Sequence, residues 1–298
     1  MNITIGIPAY NEEANIANLL TKVSRQKFLN DSLTKIIVCS DKSSDNTERI
    51  IRKIKNRKIE LFVNRERSGQ AFSQNEIIKK CKTDILVLLN ADVEIKDEFY
   101  IHALIQPIVQ GQADLTSSAI RTVKPKLFLD SVLNASFEIK NQIFESYGKG
   151  LNVYTCHGAA RAFSKKLYRN FKFVDSIGED AYSYLYSVRN DFRYSFVKTA
   201  EIFIKSPSTF RDHANQSTRF FLSKKRMEDF FGKEMVSTEY FLPVGYAFAI
   251  LLRYFIAHPI KTTTYVCVLL VTKLIYLLSP KEINNTWSLS DSTKLAKA

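Results

Sequence analysis

Apolar and polar positions alternate between two periods along the first 120 residues. Ile3–Pro8, Ile36–Ser40, Ile59–Val63, Ile85–Leu89 and Leu115–Ile120 are short apolar runs that read as strands. Between them, apolar residues recur every three to four positions, as Ile16, Leu19, Leu20 and Val23 do, and predict helices over Glu12–Arg25, Asp45–Ile54, Gly69–Cys81 and Asp97–Val109. Repeated β-α units with continuous apolar strands predict an α/β fold, a mostly parallel sheet with helices on both faces. Ligands of such sheets bind at the carboxyl ends of the strands. Beyond residue 120 the pattern is less regular. Lys126–Glu145 and Glu179–Val188 read as helices, Cys156–Phe163 as a small-residue segment, and Arg193–Thr199 and Ile202–Lys205 as two strands.

The last apolar stretch differs in kind. From Phe241 to Leu278 only Arg253, Lys261 and Lys273 are charged, and Pro259 divides the stretch into Phe241–His258 and Thr263–Leu278. Each run falls short of the about 20 residues of an upright membrane span. Two helices lying in a membrane interface, with Arg253 and Lys273 snorkelling, are the favoured expectation. A thin re-entrant or spanning hairpin and a buried helical pair are the alternatives. No linker rich in Pro, Gly or Ser interrupts the rest. The expected division is 1–235 as one domain (1–120 and 121–235 as its halves), 236–280 as apolar helices and 281–298 as a polar tail. The start, Met1-Asn2 followed at once by a short strand, has no basic lead and no apolar core of signal-peptide length.

Charge sharpens this picture. The chain of 298 residues carries a formal +13, concentrated in residues 47–82 and 121–172, each at +7. Such an excess implies an anionic partner. No basic groove with interleaved aromatic residues is recognisable, so nucleic acid is not expected. Four scattered cysteines argue against a disulfide framework or a zinc site and for a reducing cytosol. His157 and His213 lack ligand spacing and read as structural.

Polar residues mark the strand ends. Pro8-Ala9-Tyr10-Asn11-Glu12-Glu13 follows the first strand and Ser40-Asp41-Lys42-Ser43-Ser44-Asp45-Asn46-Thr47 the second. Asn64-Arg65-Glu66-Arg67-Ser68-Gly69 follows the third and Asn90-Ala91-Asp92 the fourth. Asp41 could accept hydrogen bonds from a nucleobase or ribose, Arg67 could face phosphate, and Asp92 could hold a divalent cation bridging two phosphates. Read singly, these are ordinary corners and caps.

Their order resembles glycosyltransferase family 2, whose core is the GT-A nucleotide-sugar fold, over roughly residues 2–235. The resemblance rests on P-x-Y-N-E (Pro8, Tyr10, Asn11, Glu12), on D-x-S-x-D-x-T (Asp41, Ser43, Asp45, Thr47) and loosely on an N-x-G loop (Asn64, Gly69). It continues with a D-x-D whose first Asp is Asn90 and whose last is Asp92, and with Gly178-Glu179-Asp180 as the E-D pair. Asn215-Gln216-Ser217-Thr218-Arg219-Phe220 resembles Q-x-x-R-W, with Phe220 standing for Trp. The resemblance implies a nucleotide diphosphate sugar donor and Mg²⁺ or Mn²⁺ on Asp92, weakened by Asn90. It implies acceptor contacts at His157, Gly158, Ala159, Gln216, Arg219 and Phe220. It also implies Asp180 as base beside Glu179, and Arg219 steadying the leaving diphosphate. The expected activity is inverting sugar transfer to a hydroxyl of a lipid-linked or growing surface glycan, at a membrane, with the catalytic domain facing the cytoplasm. A polyprenyl-phosphate sugar synthase is the alternative within the class. A non-catalytic sugar-nucleotide-binding scaffold, suggested by Asn90, is the alternative outside it.

Overall fold

The computed structural model describes residues 1–125, 128–174, 178–207 and 209–278, so the polar tail and the Lys126 end of the expected central helix lie outside the described residues. The elements run β1 (Asn2–Ala9), α1 (Ile16–Ser24), β2 (Ser32–Ser40), α2 (Thr47–Lys53), β3 (Ile59–Val63), α3 (Gln70–Lys80), β4 (Ile85–Leu89), α4 (Tyr100–Val109), β5 (Leu115–Thr122) and α5 (Phe128–Ser146). Two short 3-10 turns, Tyr147–Gly150 and Val153–Thr155, lead to β6 (Ala160–Ser164) and α6 (Lys165–Tyr168). Then follow α7 (Glu179–Arg189), β7 (Tyr194–Ile204), α8 (Phe210–Phe231), α9 (Lys233–Glu239), α10 (Val244–Ala257) and α11 (Pro259–Leu278).

One seven-stranded sheet, ordered β3-β2-β1-β4-β6-β5-β7, runs through both halves. All its pairings are parallel except those of β6, which lies antiparallel between β4 and β5. Burial on both faces explains the continuous apolar strands. Ile3, Ile5 and Ile7 point to one core with Leu19, Leu20, Leu104 and Ile105 of α1 and α4. Ile37, Cys39, Leu86 and Leu88 point to the opposite core with Ile77 of α3 and Tyr184 and Leu185 of α7. Pro8 is tolerated in central β1 because pairing with β4 ends at Gly6, leaving no ladder donor required at Pro8 on that side.

Two expectations are corrected here. The small-residue segment contains a strand, β6, and the two strands expected near residues 193–205 are one, β7. The polar stretch Thr199-Ala200-Glu201 that suggested a break lies where the β5–β7 register shifts, opposite Ser118/Ala119.

A third core joins Val132, Ala135, Ile139 and Ile143 of α5 to Tyr254 of α10 and Tyr265 of α11. The Tyr246 hydroxyl donates to Ser146 Oγ at 2.7 Å, and the Tyr254 hydroxyl to Glu138 Oε2 at 2.5 Å. The two bonds step forward along α10 and backward along α5, so the helices lie antiparallel and side by side. The outer surface stays open: Val244, Phe248, Ile256, Ile260, Leu270 and Leu278 are all exposed. The buried-pair alternative therefore fails. The stretch Lys233–Ala257 has the length and hydropathy to cross a membrane, but its helix is broken between Glu239 and Val244.

Candidate active site

The motif-bearing loops meet at the carboxyl ends of β1, β2 and β4. Much of the first two motifs is spent on joining these loops. Asn11 N donates to Ser43 Oγ at 3.1 Å, Asn11 Nδ2 to Ser44 Oγ at 3.0 Å, and Ser44 N back to Asn11 Oδ1 at 2.8 Å. Glu12 N donates to Thr47 Oγ1 at 2.7 Å and Glu13 N to Asp45 Oδ2 at 3.0 Å. This lock delays α1, expected from Glu12, until Ile16. Buried Ser40 donates to Glu48 Oε1 at 2.9 Å and so ties the strand end to α2.

Asp41 holds the next loop. Its Oδ1 accepts from Asn64 Nδ2 and Ser68 N, and its Oδ2 from Gly69 N, each at 2.8 Å. The carboxylate thereby sets the turn into α3. Above this turn the Arg67 guanidinium lies over the Tyr10 ring, 4.0 Å from its centroid. The two side chains form a cation–π pair at the mouth of the β1–β2 crevice.

Asn90 and Asp92 follow β4. Asn90 N donates to Ala159 O at 3.0 Å, joining the donor strand to the segment before β6. Asn90 Oδ1 accepts from Gln70 Nε2 at 3.0 Å, so the amide is oriented with its carbonyl toward α3. Among the described residues no three His, Cys, Asp or Glu side chains cluster as a complete metal cage. One hard carboxylate oxygen donor at Asp92 fits Mg²⁺ or Mn²⁺ provided that diphosphate oxygens and water fill the other positions, the usual way a small divalent cation is shared with nucleotide phosphates.

The E-D pair opens α7, behind Gly178 in the left-handed region (φ 71°). A Cβ built on Gly158 would lie 3.8 Å from Asp180 Oδ2 and 3.9 Å from Glu179 Oε1. Both carboxyl groups thus face the backbone of the small-residue segment, and only a bare glycine leaves that strip of surface open. Burial and the neighbouring Asp180 charge push Glu179 up to about 7, against the pull of Arg161 and Arg219. Burial pulls His157 down to about 4, leaving a neutral imidazole near Asp180. Arg219 reaches the pair from α8 and feels Glu179 and Asp212. Gln216 precedes it by three positions on the same helix face. The Phe220 ring stacks on Tyr154 at 6.4 Å, Tyr154 stacks on Phe144 at 4.4 Å, and Tyr240 closes on Tyr154 edge-on at 5.6 Å.

The structure thus gathers His157, Gly158, Glu179, Asp180 and Arg219 into one cluster, with Ala159 bonded to Asn90 beside it. Pro8 is a buried residue of β1. Sequence reasoning missed Gln70, Tyr154, Tyr240 and Arg161. An arginine inside an alanine-rich run was the one available signal.

The profile of the glycosyl transferase family 2 matches residues 4–171, more than half of the chain. The chain belongs to this family. A family-2 sugar transferase has the α/β sheet, the GT-A strand order and the crevice described above. The poly-beta-1,6-N-acetyl-D-glucosamine synthase of Staphylococcus aureus is 34% identical over 97 residues, covering 32% of this chain and 23% of that protein. The UDP-Glc:alpha-D-GlcNAc-diphosphoundecaprenol beta-1,3-glucosyltransferase WfgD of Escherichia coli is 30% identical over 90 residues, 30% of this chain and 34% of that one. The chain therefore spans about a third or less of the curated relatives it matches. Among solved structures, mannosyltransferase PcManGT from Pyrobaculum calidifontis, in complex with GDP-Man and Mn²⁺, superposes with a TM-score of 0.66 at 15% identity, covering 93% of this chain and 87% of that one. At that identity the likeness establishes the fold.

Proposed function

We propose that this family-2 glycosyltransferase moves a sugar, with inversion, from a nucleotide diphosphate sugar to a hydroxyl of a lipid-linked or growing surface glycan. The observation that carries the reading is the Gly158 strip faced by the Asp180 and Glu179 carboxyl groups. An acceptor sugar lying there presents its hydroxyl to Asp180. The hydroxyl oxygen attacks C1 of the donor sugar, the C1–O bond to the diphosphate breaks, and the hydroxyl proton passes to the Asp180 carboxylate. Glu179, pushed up to about 7 by burial and by its neighbour's charge, is only partly ionised near neutrality. Arg219 neutralises charge on the leaving diphosphate. Asp92 would hold Mg²⁺ or Mn²⁺, which supplies further charge neutralisation there. Tyr10 and Arg67 bracket the nucleoside, and the Tyr154–Phe220–Tyr240 rings offer an apolar face to the acceptor. In this reading the contributions of Asn11, Glu12, Ser43, Asp41 and Gly69 are chiefly to hold the crevice in shape.

The exposed side chains of α10 and α11 support a membrane-surface location, with the catalytic domain in the cytoplasm. With its 14 residues α10 extends about 21 Å, less than the about 30 Å of a hydrocarbon core. It is also strapped along α5, whose Asn134 and Asn141 bond Val123 O and Ile120 O at the end of β5. A span by α10 would drag the catalytic domain into lipid, which supports an interfacial arrangement for that helix.

The test is transfer by the purified full chain. A panel of nucleotide sugars is assayed for nucleoside diphosphate release with saccharide and polyprenyl-phosphate acceptors. Asp180→Asn should abolish transfer to a sugar hydroxyl while donor binding persists. Unchanged transfer by Asp180→Asn would overturn the mechanism, and transfer to polyprenyl phosphate alone would replace the acceptor class.

A further inference from the structure

Arg161 is the largest fully buried side chain of the described residues, with no exposed surface. It sits in the middle of β6, opposite Leu88 of β4 and Ser117 of β5. Its neighbours Ala160 and Ala162 point into the core under α1 and α4, so Arg161 points the other way, beneath α7. There Nη1 donates to Glu179 O at 2.8 Å and to Ser183 Oγ at 2.7 Å, and Ser183 Oγ donates to Asp180 O at 2.8 Å. Phe173 and Phe163 lie 5.4 and 5.9 Å from the guanidinium carbon. Nε and Nη2 have no hydrogen-bond partner, and among the described residues no carboxylate forms an ion pair with Arg161.

As packing, this arrangement is expensive. A buried cation with no ion-pair partner among the described residues carries a desolvation penalty of several kcal/mol, and it lies against the positive end of a helix dipole. A methionine or leucine would fill the same volume without either cost. The compensating feature is the acid pair on that helix turn. Two adjacent carboxyl groups facing one glycine repel each other when both are charged. The charged groups around them come from several elements. Arg161 approaches from the sheet and Arg219, with Asp212 beside it, from α8. His157 and Cys156 approach from the segment before β6, and Tyr240 follows α9. Arg161 is the cation beneath the pair, permanently shielded from water.

We propose that Arg161 is a positioning residue of the transfer reaction: its buried guanidinium clamps the first turn of α7 and stabilises the negative charge shared by Glu179 and Asp180. It touches no substrate. It acts by fixing where the base stands and by keeping one member of the pair ionised in a buried site. The inference rests on the assignment of Asp180 as base and adds to it a requirement for a cation that the acceptor never meets.

The test compares Arg161→Met, Arg161→Lys and the parent protein over pH 5–9. Loss of the cation should raise the acidic limb of kcat by about one pH unit, so that Arg161→Met is about tenfold slower than the parent below the limb and approaches it above the limb. Arg161→Lys should restore the limb. A second readout needs no turnover. Because Glu179 is pushed up in the folded state, the stability it contributes is present below its unfolded value and is lost as pH rises through about 7. In Arg161→Met this decline should extend to higher pH in chemical denaturation. A uniform loss of rate with an unmoved limb, or an unmoved stability profile, would overturn the proposal. If Asp180→Asn transfers normally while the denaturation profile of Arg161→Met still shifts, the base assignment fails and the electrostatic role of Arg161 stands. Should Arg161→Met not fold, Arg161→Lys and Arg161→Gln carry the same comparison.

Discussion

Replacing Asp41 separates two roles that the sequence alone superimposes, contact with the nucleoside and construction of the site. The carboxylate is 5% exposed and accepts three bonds of 2.8 Å, two of them from backbone N–H groups of the Ser68-Gly69 turn. Bonds to a charged acceptor contribute about 1.5–3 kcal/mol each. Ser68 is half-buried and its N–H regains water when the acceptor is lost, Asn64 Nδ2 keeps its bond to Ser73 Oγ at 3.0 Å, and the buried Gly69 N–H is stranded. One stranded donor at about 1–3 kcal/mol, plus partial losses at Asn64 and Ser68 of about 1 kcal/mol together, gives about 2–4 kcal/mol for Asp41→Ala. Asp41→Asn keeps one carbonyl oxygen but turns an NH₂ toward a backbone donor, for a cost of about 2 kcal/mol. Urea denaturation followed by far-UV circular dichroism measures both, with the midpoint falling in the order parent, Asn, Ala at constant slope. Calorimetric titration with nucleoside diphosphates gives binding on the same samples. An Asp41→Asn protein with the parental midpoint and donor binding weakened a hundredfold would refute the reasoning, because the carboxylate would then serve the ligand and leave the loop indifferent.

Three further outcomes follow from the geometry. Gly178→Ala puts a methyl 1.9 Å from Ser223 Oγ at a φ of +71°; about 2–4 kcal/mol of destabilisation should appear in thermal melts, and an unchanged melting temperature would show that α8 does not press on this turn. Asn90→Asp restores a second carboxylate beside Asp92, so Mn²⁺ should bind about tenfold tighter by electron paramagnetic resonance titration without substrate, and unchanged affinity would remove Asn90 from the metal's surroundings. Phe248→Glu with Leu252→Glu places charge on the exposed face of α10. Sedimentation with phosphatidylglycerol-containing vesicles should fall on the order of 100-fold while nucleotide release to a soluble acceptor persists, and undiminished sedimentation would place lipid contact elsewhere.

The strands were legible because burial on both faces leaves uninterrupted apolar runs, and β3 and β4 begin and end where those runs do. The strand that was missed, β6, is built of Ala160, Arg161, Ala162, Phe163 and Ser164, which pairs weak strand formers with a charge. Only its position between β4 and β5 makes it a strand. The order of the motifs was legible as well. What lay beyond the sequence was that motif residues bond one another across 32 to 35 positions, as Asn11 does with Ser43 and Ser44 and Glu12 with Thr47. Residue identity shows what a side chain can do, and the distant partner decides which of its lone pairs are already taken. Likewise the apolar end was legible as two helices, but the side that turns inward is set by the seating of Tyr254 and Tyr265 on α5.

The antiparallel insertion of β6 has a consequence for motion. Enzymes that bind two substrates between separate lobes open and shut by rotating one lobe against the other. Here the portion that carries the donor loops and the portion that carries the acid pair are rows of one hydrogen-bonded ladder, β4 to β6 to β5, and the Asn90–Ala159 bond continues the join past the strand ends. No hinge axis passes between them. The loop that carries Asp92 and the strand beneath α7 therefore share one continuous sheet. Motion at the crevice is left to side chains and loops above a continuous sheet, the Arg67–Tyr10 pair among them.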